Sequence, residues 1–416
     1  MDALEVELRA EQAEVEAAGR REGERPAPVK PGRRWVATHR GVVTLAAVVV
    51  AVGLVAAGTY VAVTRPPAWT PPAPAAVRLP AAATAIAAGD AHTCAELADG
   101  SVFCWGWNGA GQLGDGTIHT DWFVPVKVVG LGSAMQAVAA RGGHTCALLA
   151  TGSVSCWGDN EFGQLGDGTT TNRSAPVKVA GLGSPVQAVA AGSDHTCVLL
   201  ADGSVSCWGW NAYRQLGDGT TMNRSAPVKV VALHSAVQAV AAGSDHTCVL
   251  LADGSVSCWG RNGDGQLGDG TTTDWSGPQE VVGLYAGVQA VAAGLHHTCA
   301  LRVNGTVHCW GRNRDGQLGD GTTTDRSEPA KVVDLDSAVQ AVAAGNDHTC
   351  ALLGDGSVNC WGWNGSGQLG DGTTTNRSAP VKVAGLGSPV QAIAASGDRT
   401  CALLADGSVC CWGYGT

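Results

Sequence analysis

Fourteen of the fifteen cysteines of this 416-residue chain stand in pairs ten positions apart: Cys94 with Cys104, Cys146 with Cys156, Cys197 with Cys207, Cys248 with Cys258, Cys299 with Cys309, Cys350 with Cys360, and Cys401 with Cys411. A histidine lies two residues before the first cysteine of six pairs, at His92, His144, His195, His246, His297 and His348; Arg399 takes that place in the seventh. Three chemistries fit such residues. Two thiolates and an imidazole on adjoining strands make a soft ligand set for zinc. Two facing thiols make a disulfide. A buried thiol also serves as a small apolar side chain. The segment Leu97-Ala98-Asp99-Gly100-Ser101 reads as a three-residue hairpin loop with Gly100 left-handed. Leu97 then faces Ser101, and counting back sets Cys94 directly opposite Cys104, within disulfide reach. The seventh pair persists without its histidine, so pairing does not depend on it. Disulfides are the favoured reading, and neither a metal nor a cofactor is expected. Cys410 is left over, and as an unpaired exposed thiol it would allow a covalent dimer.

These pairs ride on a repeat. The phrase His-Thr-Cys-Ala-Leu-Leu-x-Asp-Gly-Ser-Val-x-Cys-Trp-Gly returns seven times with variations, first after 52 residues and then every 51. Such a period with strand-type content points to propeller blades. In one unit, Pro176–Val179, Val186–Val189, Thr196–Leu200 and Ser204–Trp208 read as four short strands punctuated by Gly, Asp and Pro. The expected fold is an all-β, seven-bladed β-propeller of ~51-residue four-stranded repeats over 76–416, preceded by one transmembrane helix. The last unit stops at Thr416 without its Gly-Gln-Leu-Gly-Asp-Gly-Thr and Pro-Val-Lys-Val pieces. Ala76–Leu79 and Ala85–Gly89 resemble missing strands, so N-terminal strands are expected to complete the last blade and protect its edge.

Ahead of the repeats, residues 1–40 are charged and read as a cytoplasmic segment. Residues 41–63 carry no charge and are long enough to cross a bilayer. Lys30, Arg33, Arg34 and Arg40 precede that span, which places the N-terminus in the cytoplasm and the repeats outside. A cleaved signal peptide ending near Val55-Ala56-Ala57 is the rival, disfavoured by its 40-residue leader. Residues 64–75 are a Pro-rich linker. Residues 66–416 hold 17 basic and 28 acidic residues, an average field that repels a phosphate backbone, so no nucleic-acid partner is expected.

The units resemble the regulator of chromosome condensation repeat family, including its alpha-tubulin-suppressor-like bacterial branch. The resemblance rests on Gly-x-x-His-Thr-Cys-Ala-Leu, Asp-Gly-Ser-Val and Trp-Gly-x-Asn-x-x-Gly-Gln-Leu-Gly-Asp-Gly, clear at Gly345–Leu352 and Trp361–Gly372. It implies a seven-bladed propeller and says much less about activity, because one fold hosts many functions. The family's nuclear founder binds chromatin and promotes nucleotide exchange on a small GTPase. The expected membrane span, the acidic repeats and the strict period, which leaves no room for a long insertion, argue against exchange here. Some secreted bacterial relatives look like protein inhibitors that grip an enzyme with one face.

Repeated positions are those the fold demands; those that vary between units are free to specialise. After each Cys-Trp-Gly stand Trp107, Asp159, Trp210, Arg261, Arg312, Trp363 and Tyr414, with Tyr213 among the variable residues three positions on. Trp, Tyr and Arg are enriched in binding hot spots, so these residues are the candidate partner-binding face. The bland alternative is that they only pack against their own loops. The six histidines recur at one position and read as hydrogen-bonding elements rather than as catalysts. The chain is therefore read as a non-enzymatic, membrane-anchored, extracytoplasmic module for a protein or cell-wall partner. The rival classes are a lyase or hydrolase with a central-channel site, and an intracellular exchange factor or cytoskeletal partner. An enzyme would need one asymmetric acid–base cluster, and His119, Asp121, His234, His296 and His308 are the non-repeated candidates.

Overall fold

The computed structural model describes residues 75–415 apart from Thr120 and Asp336. The expected cytoplasmic segment, the 41–63 span and nearly all of the linker lie outside the described residues. Among the described residues no helix is long and apolar enough to cross a membrane.

Among the described residues, twenty-eight short strands form seven four-stranded antiparallel sheets. After β1 (Ala75–Val77), the first blade runs outward as β2 (Ala83–Ala88), β3 (His92–Leu97), β4 (Val102–Gly106) and β5 (Trp122–Lys127). Blades two to six repeat that order as β6–β9 (135–178), β10–β13 (186–229), β14–β17 (237–280), β18–β21 (288–331) and β22–β25 (339–382). The seventh holds β26 (Val390–Ser396), β27 (Arg399–Leu404) and β28 (Val409–Gly413), and β1 is its outermost strand. Inner strands of successive blades touch all the way round, and β26 meets β2, so the ring is closed.

Two expectations about strand assignment change. Among the described residues one N-terminal strand, β1, completes the last blade, through Ala75↔Cys411, Ala76↔Cys410 and Val77↔Val409. Ala85–Ala88 instead belongs to β2, the inner strand of blade one, and Ala75, expected in the linker, opens β1. Pro176–Lys178 forms the outer strand of blade two, not the first strand of blade three. A proline donates nothing to a ladder and is tolerated on an edge strand, which is where Pro176 sits.

Seven apolar clusters fill the spaces between neighbouring blades. Between blades three and four, Cys197, Leu199, Val205 and Cys207 meet Val237, Val249, Leu251 and Trp259. At the closure, Leu403, Val409 and Cys411 meet Ala83, Leu97 and Trp105. Each buried apolar side chain contributes about 1.5–3 kcal/mol, so the inter-blade seams carry the fold.

Candidate functional site

The hairpin register follows from the loop. Gly100 is left-handed at φ 77°, the Leu97 amide donates to the Ser101 carbonyl at 2.9 Å, and Cys94 pairs with Cys104. The cysteines occupy a non-hydrogen-bonded site, where side chains approach most closely. All seven expected disulfides form, each with a Cα separation of 4.1 Å. Most are fully buried in the seams. Among the described residues no group of three or more His, Cys, Asp or Glu could hold a metal ion.

Cys410 departs from expectation. It is free but only 6% exposed, packed on the blade-six side of β28 among Val390, Ala402 and Trp412. Burial, and next the Asp406 carboxylate, push its thiol up. An exposed thiol ready to join two chains is thus not what the fold presents.

The histidines form a belt. His92 Nε2 lies 2.7 Å from Thr145 Oγ1 of the next blade, and His144–Thr196, His195–Thr247, His246–Thr298, His297–Thr349 and His348–Thr400 repeat the contact at 2.9–3.0 Å. Each of those threonines donates its hydroxyl hydrogen to a Gln carbonyl of the preceding blade, as Thr196 does to Gln164 at 2.8 Å. The hydroxyl proton is thereby committed, so the imidazole must donate from Nε2. Burial is the main cause that lowers His92, His195, His297 and His348 to about 3 and His144 to about 4. The same Gln carbonyls accept the indole N–H of the buried tryptophans, as in Trp259 to Gln215 at 2.9 Å. The repeated Gly-Gln-Leu loop is therefore a latch from one blade to the next, which sequence reasoning did not assign.

The seven candidate face residues occupy equivalent places on one face. The amide of each donates to the residue that precedes the histidine (or Arg399) of its own blade: Trp107 to Ala91, Asp159 to Gly143, Trp210 to Asp194, Arg261 to Asp245, Arg312 to His296, Trp363 to Asp347 and Tyr414 to Asp398, at 2.7–2.9 Å. Gly106 makes the crossing possible. It adopts φ 113°, and a Cβ there would meet the Ala91 carbonyl. An outer ring of Trp, Tyr, Arg and Asp thus surrounds an inner ring rich in Asp.

The inner ring was missed, although comparing Ala91, Gly143, Asp194, Asp245, His296, Asp347 and Asp398 between units would have found it. Burial raises Asp194 to about 7, with Asp159 next in effect, and raises Asp398 to about 6. Arg261 reaches Asp245 at 3.3 Å and Arg312 reaches Asp347 at 3.8 Å. Also missed was Arg141, which stands where five other blades have glycine. It is 5% exposed, and its Nη1 donates at 2.6 Å to the Ala293 carbonyl of blade five, three blades away across the ring axis.

The outer-ring side chains behave differently. Trp107 and Trp363 fold back over Gly109 and Gly365 of their own loops, where a Cβ would meet their rings. Trp210 instead packs between Phe162 of blade two, tilted at a centroid distance of 5.8 Å, and Tyr213 of its own loop, edge-to-face at 5.4 Å. Arg261 lies 5.2 Å over the Tyr213 ring.

The non-repeated acid–base candidates do not converge. His119 is exposed on the outer-ring face, Asp121 accepts from the Asn108 amide, His234 is exposed on the opposite face, His296 is in the inner ring, and His308 lies on β20 (Val307–Gly311).

Sequence profiles of the Regulator of chromosome condensation (RCC1) repeat match this chain six times, at 99–148, 151–199, 202–250, 253–301, 304–352 and 355–403. The chain belongs to the RCC1 repeat family. Its RCC1 repeats are 34% identical over 283 residues to the ultraviolet-B receptor UVR8 of Arabidopsis thaliana, covering 67% of this chain and 64% of that one. They are 32% identical over 310 residues to the human E3 ubiquitin-protein ligase HERC2, covering 72% of this chain and 6% of the ligase. The chain thus spans just under two thirds of the receptor and a small part of the ligase. A secretion-regulating guanine nucleotide exchange factor of Bos taurus is 32% identical over 333 residues, covering 72% of this chain and 71% of that one. Human WBSCR16 shares the fold with a TM-score of 0.70 at 23% identity, covering 81% of this chain and 88% of that one. Yeast RCC1 (Prp20), solved bound to Kap60, gives 0.69 at 22%, covering 79% and 80%.

Proposed function

We propose that this RCC1-repeat propeller is a non-enzymatic interaction module that grips a protein or cell-wall partner with the face bearing Trp107, Trp210, Tyr213, Trp363 and Tyr414. One observation carries the reading: seven positions that differ between otherwise repeated units fall on a single face. Such positions are where a symmetric scaffold acquires a specific partner, and aromatic and Arg side chains are the usual anchors. The seven disulfides support an oxidising, extracytoplasmic setting, with the N-terminal apolar stretch as the anchor and the N-terminus in the cytoplasm. Photo-crosslinking residues placed in the full chain at 107 and 366, and at 285 on the opposite face, test the reading. Specific crosslinks from the first two alone support it, and equal labelling from 285 removes it. Labelling of the propeller in intact cells by a membrane-impermeant reagent supports the orientation, and protection from it overturns that part.

A second reading, nucleotide exchange on a small GTPase, is favoured by similarity to the secretion-regulating exchange factor. Release of labelled GDP from a panel of small GTPases on adding the chain would establish it.

A further inference from the structure

Blade three departs from its neighbours at two adjoining loop positions. Ala212 replaces a residue that is glycine at Gly109, Gly263 and Gly365, and Arg214 replaces one that is glycine at Gly111, Gly163, Gly265, Gly316 and Gly367. Both changes have structural effects. A Cβ at 109 or 365 would strike the tryptophan two residues earlier, so Ala212 prevents Trp210 from folding back over its own loop. Trp210 turns instead to Phe162 and Tyr213, giving an aromatic trio that spans two blades. Arg214 retains the left-handed conformation at φ 69° without being glycine, a conformation that costs about 1–2 kcal/mol.

Three carboxylates belong to the same sector. Asp159 and Glu161 come from the blade-two loop that carries Phe162, and Asp194 is the inner-ring neighbour of Trp210. Gly143 makes room for the first of them, since a Cβ there would lie 3.1 Å from the Asp159 Cβ. Asp194 feels the charges of both Asp159 and Glu161. Among the described residues, none of the three forms an ion pair, and Arg214 reaches none of them. Blades four and five differ, because there Arg261, Arg312 and Arg314 pair with Asp245, Asp264, Asp315, Asp325 and Asp347. In blades four and five Arg side chains thus pair with the carboxylates, whereas beside the aromatic trio Asp159, Glu161 and Asp194 form no ion pair, with Arg261 lying over the Tyr213 ring at the edge of that sector.

Resting on the face reading above, we infer that the sector of Phe162, Trp210 and Tyr213 with Asp159, Glu161 and Asp194 receives a lysine side chain of a protein partner. The chemistry is complementary. An ammonium is attracted to aromatic faces, and its alkyl stem packs against them. Its charge offsets Asp159 and Glu161, which form no ion pair among the described residues, and favours the ionised form of Asp194, which burial otherwise holds back. A negatively charged or purely apolar occupant would leave those carboxylates worse off.

The test uses the full-length chain in detergent and a fluorescent N-acetyl tetralysine amide, read by anisotropy at low ionic strength. Saturable binding is expected, weakened at least about tenfold by Trp210→Ala and similarly by the near-isosteric Asp194→Asn, a loss of about 1.4 kcal/mol each. Tyr285→Ala, 60% exposed on the opposite face, should leave the affinity unchanged. Phe162→Leu checks the aromatic contribution if Trp210→Ala lowers the melting temperature. Absence of saturable binding overturns the inference, as does equal weakening by Tyr285→Ala or indifference to Asp194→Asn. If tetralysine fails while crosslinking from 107 and 366 still finds one partner, the face reading stands and only the lysine site is lost.

Discussion

Arg399 Nη1 donates to Thr93 Oγ1 at 3.1 Å, closing across the blade-seven seam a belt that six histidines make elsewhere. The substitution is not conservative in reach. Arg399 also donates to the Tyr414 and Gly415 carbonyls, at 3.1 Å each, so it ties the segment after β28 back to its own blade. Hydrogen bonds from charged groups are worth about 1.5–3 kcal/mol. Arg399→His should keep the first link, lose the other two and lower the unfolding free energy by about 2–4 kcal/mol in guanidinium titrations. A loss below about 0.5 kcal/mol would mean that Tyr414 and Gly415 are not held this way.

The latch predicts unequal costs for one substitution at repeated sites. Trp259 donates to the Gln215 carbonyl, whereas Trp105, 7% exposed, makes no such bond among the described residues. Trp→Phe removes similar volume at both. Trp259→Phe should cost about 0.5–1.5 kcal/mol more than Trp105→Phe, because it also removes a buried hydrogen bond to the Gln215 carbonyl, which keeps only its bond from Thr247. Equal costs would assign the tryptophans to packing alone.

The histidine belt gives the fold an acid limit. Burial holds these imidazoles neutral, with His92 at about 3 against an ordinary 6.5. The unfolded chain therefore binds more protons as pH falls below about 6.5, and stability falls with it. Asp194 and Asp398 act the other way. Their folded values are raised, so their contribution is present at low pH and is lost as pH rises toward about 6–7. His296 is lowered to about 3 as well, and Asp245 and Asp347 are raised by burial, so seven histidines stand against four inner-ring aspartates. Near pH 5 stability should drop with falling pH by on the order of a few kcal/mol per pH unit, measured by denaturant titration across pH 4–8. A flat profile would show that the imidazoles are solvated.

Cys410 gives a chemical readout of the same packing. In unreduced native protein, iodoacetamide should modify it at least about tenfold more slowly than a free thiol at the same pH, because its thiolate is disfavoured and covered. After denaturation without reductant, one thiol per chain should titrate. Fast native labelling would contradict the buried position of Cys410, and fifteen thiols would contradict the disulfides.

The blades, the hairpins and the cysteine register were legible because each depends on neighbours in sequence: Gly100 sets the loop, the loop sets Leu97 against Ser101, and alternation carries Cys94 to Cys104. The contacts that were not legible join residues one blade apart or more. Nothing local says that the Gln215 carbonyl ends beneath Trp259, or that Arg141 meets Ala293. The closure was half legible, since Ala76 and Ala85 both lie in strand-like segments and only the ring decides which of them pairs with β28. The variable face could be read from the differences between units. Trp210 could be separated from Trp363 only after Ala212 and Gly365 were seen to govern which way each ring turns. The clearest sequence clue to the special sector, the loss of glycine at 212 and 214, was on view from the start.

The pairing of Ala76 with Cys410 also has a meaning in time. The strand made first waits for the strand made last. At about 5–20 residues per second, a ribosome spends roughly 20–70 s between them. Through that interval six blades and most of a seventh exist as an open arc, and β1 must remain free for a partner not yet synthesised. Its length of three residues limits the template it offers to wrong partners in the meantime. Closure of the ring thus waits for the synthesis of β28, and repeats made without Val409 stay an arc.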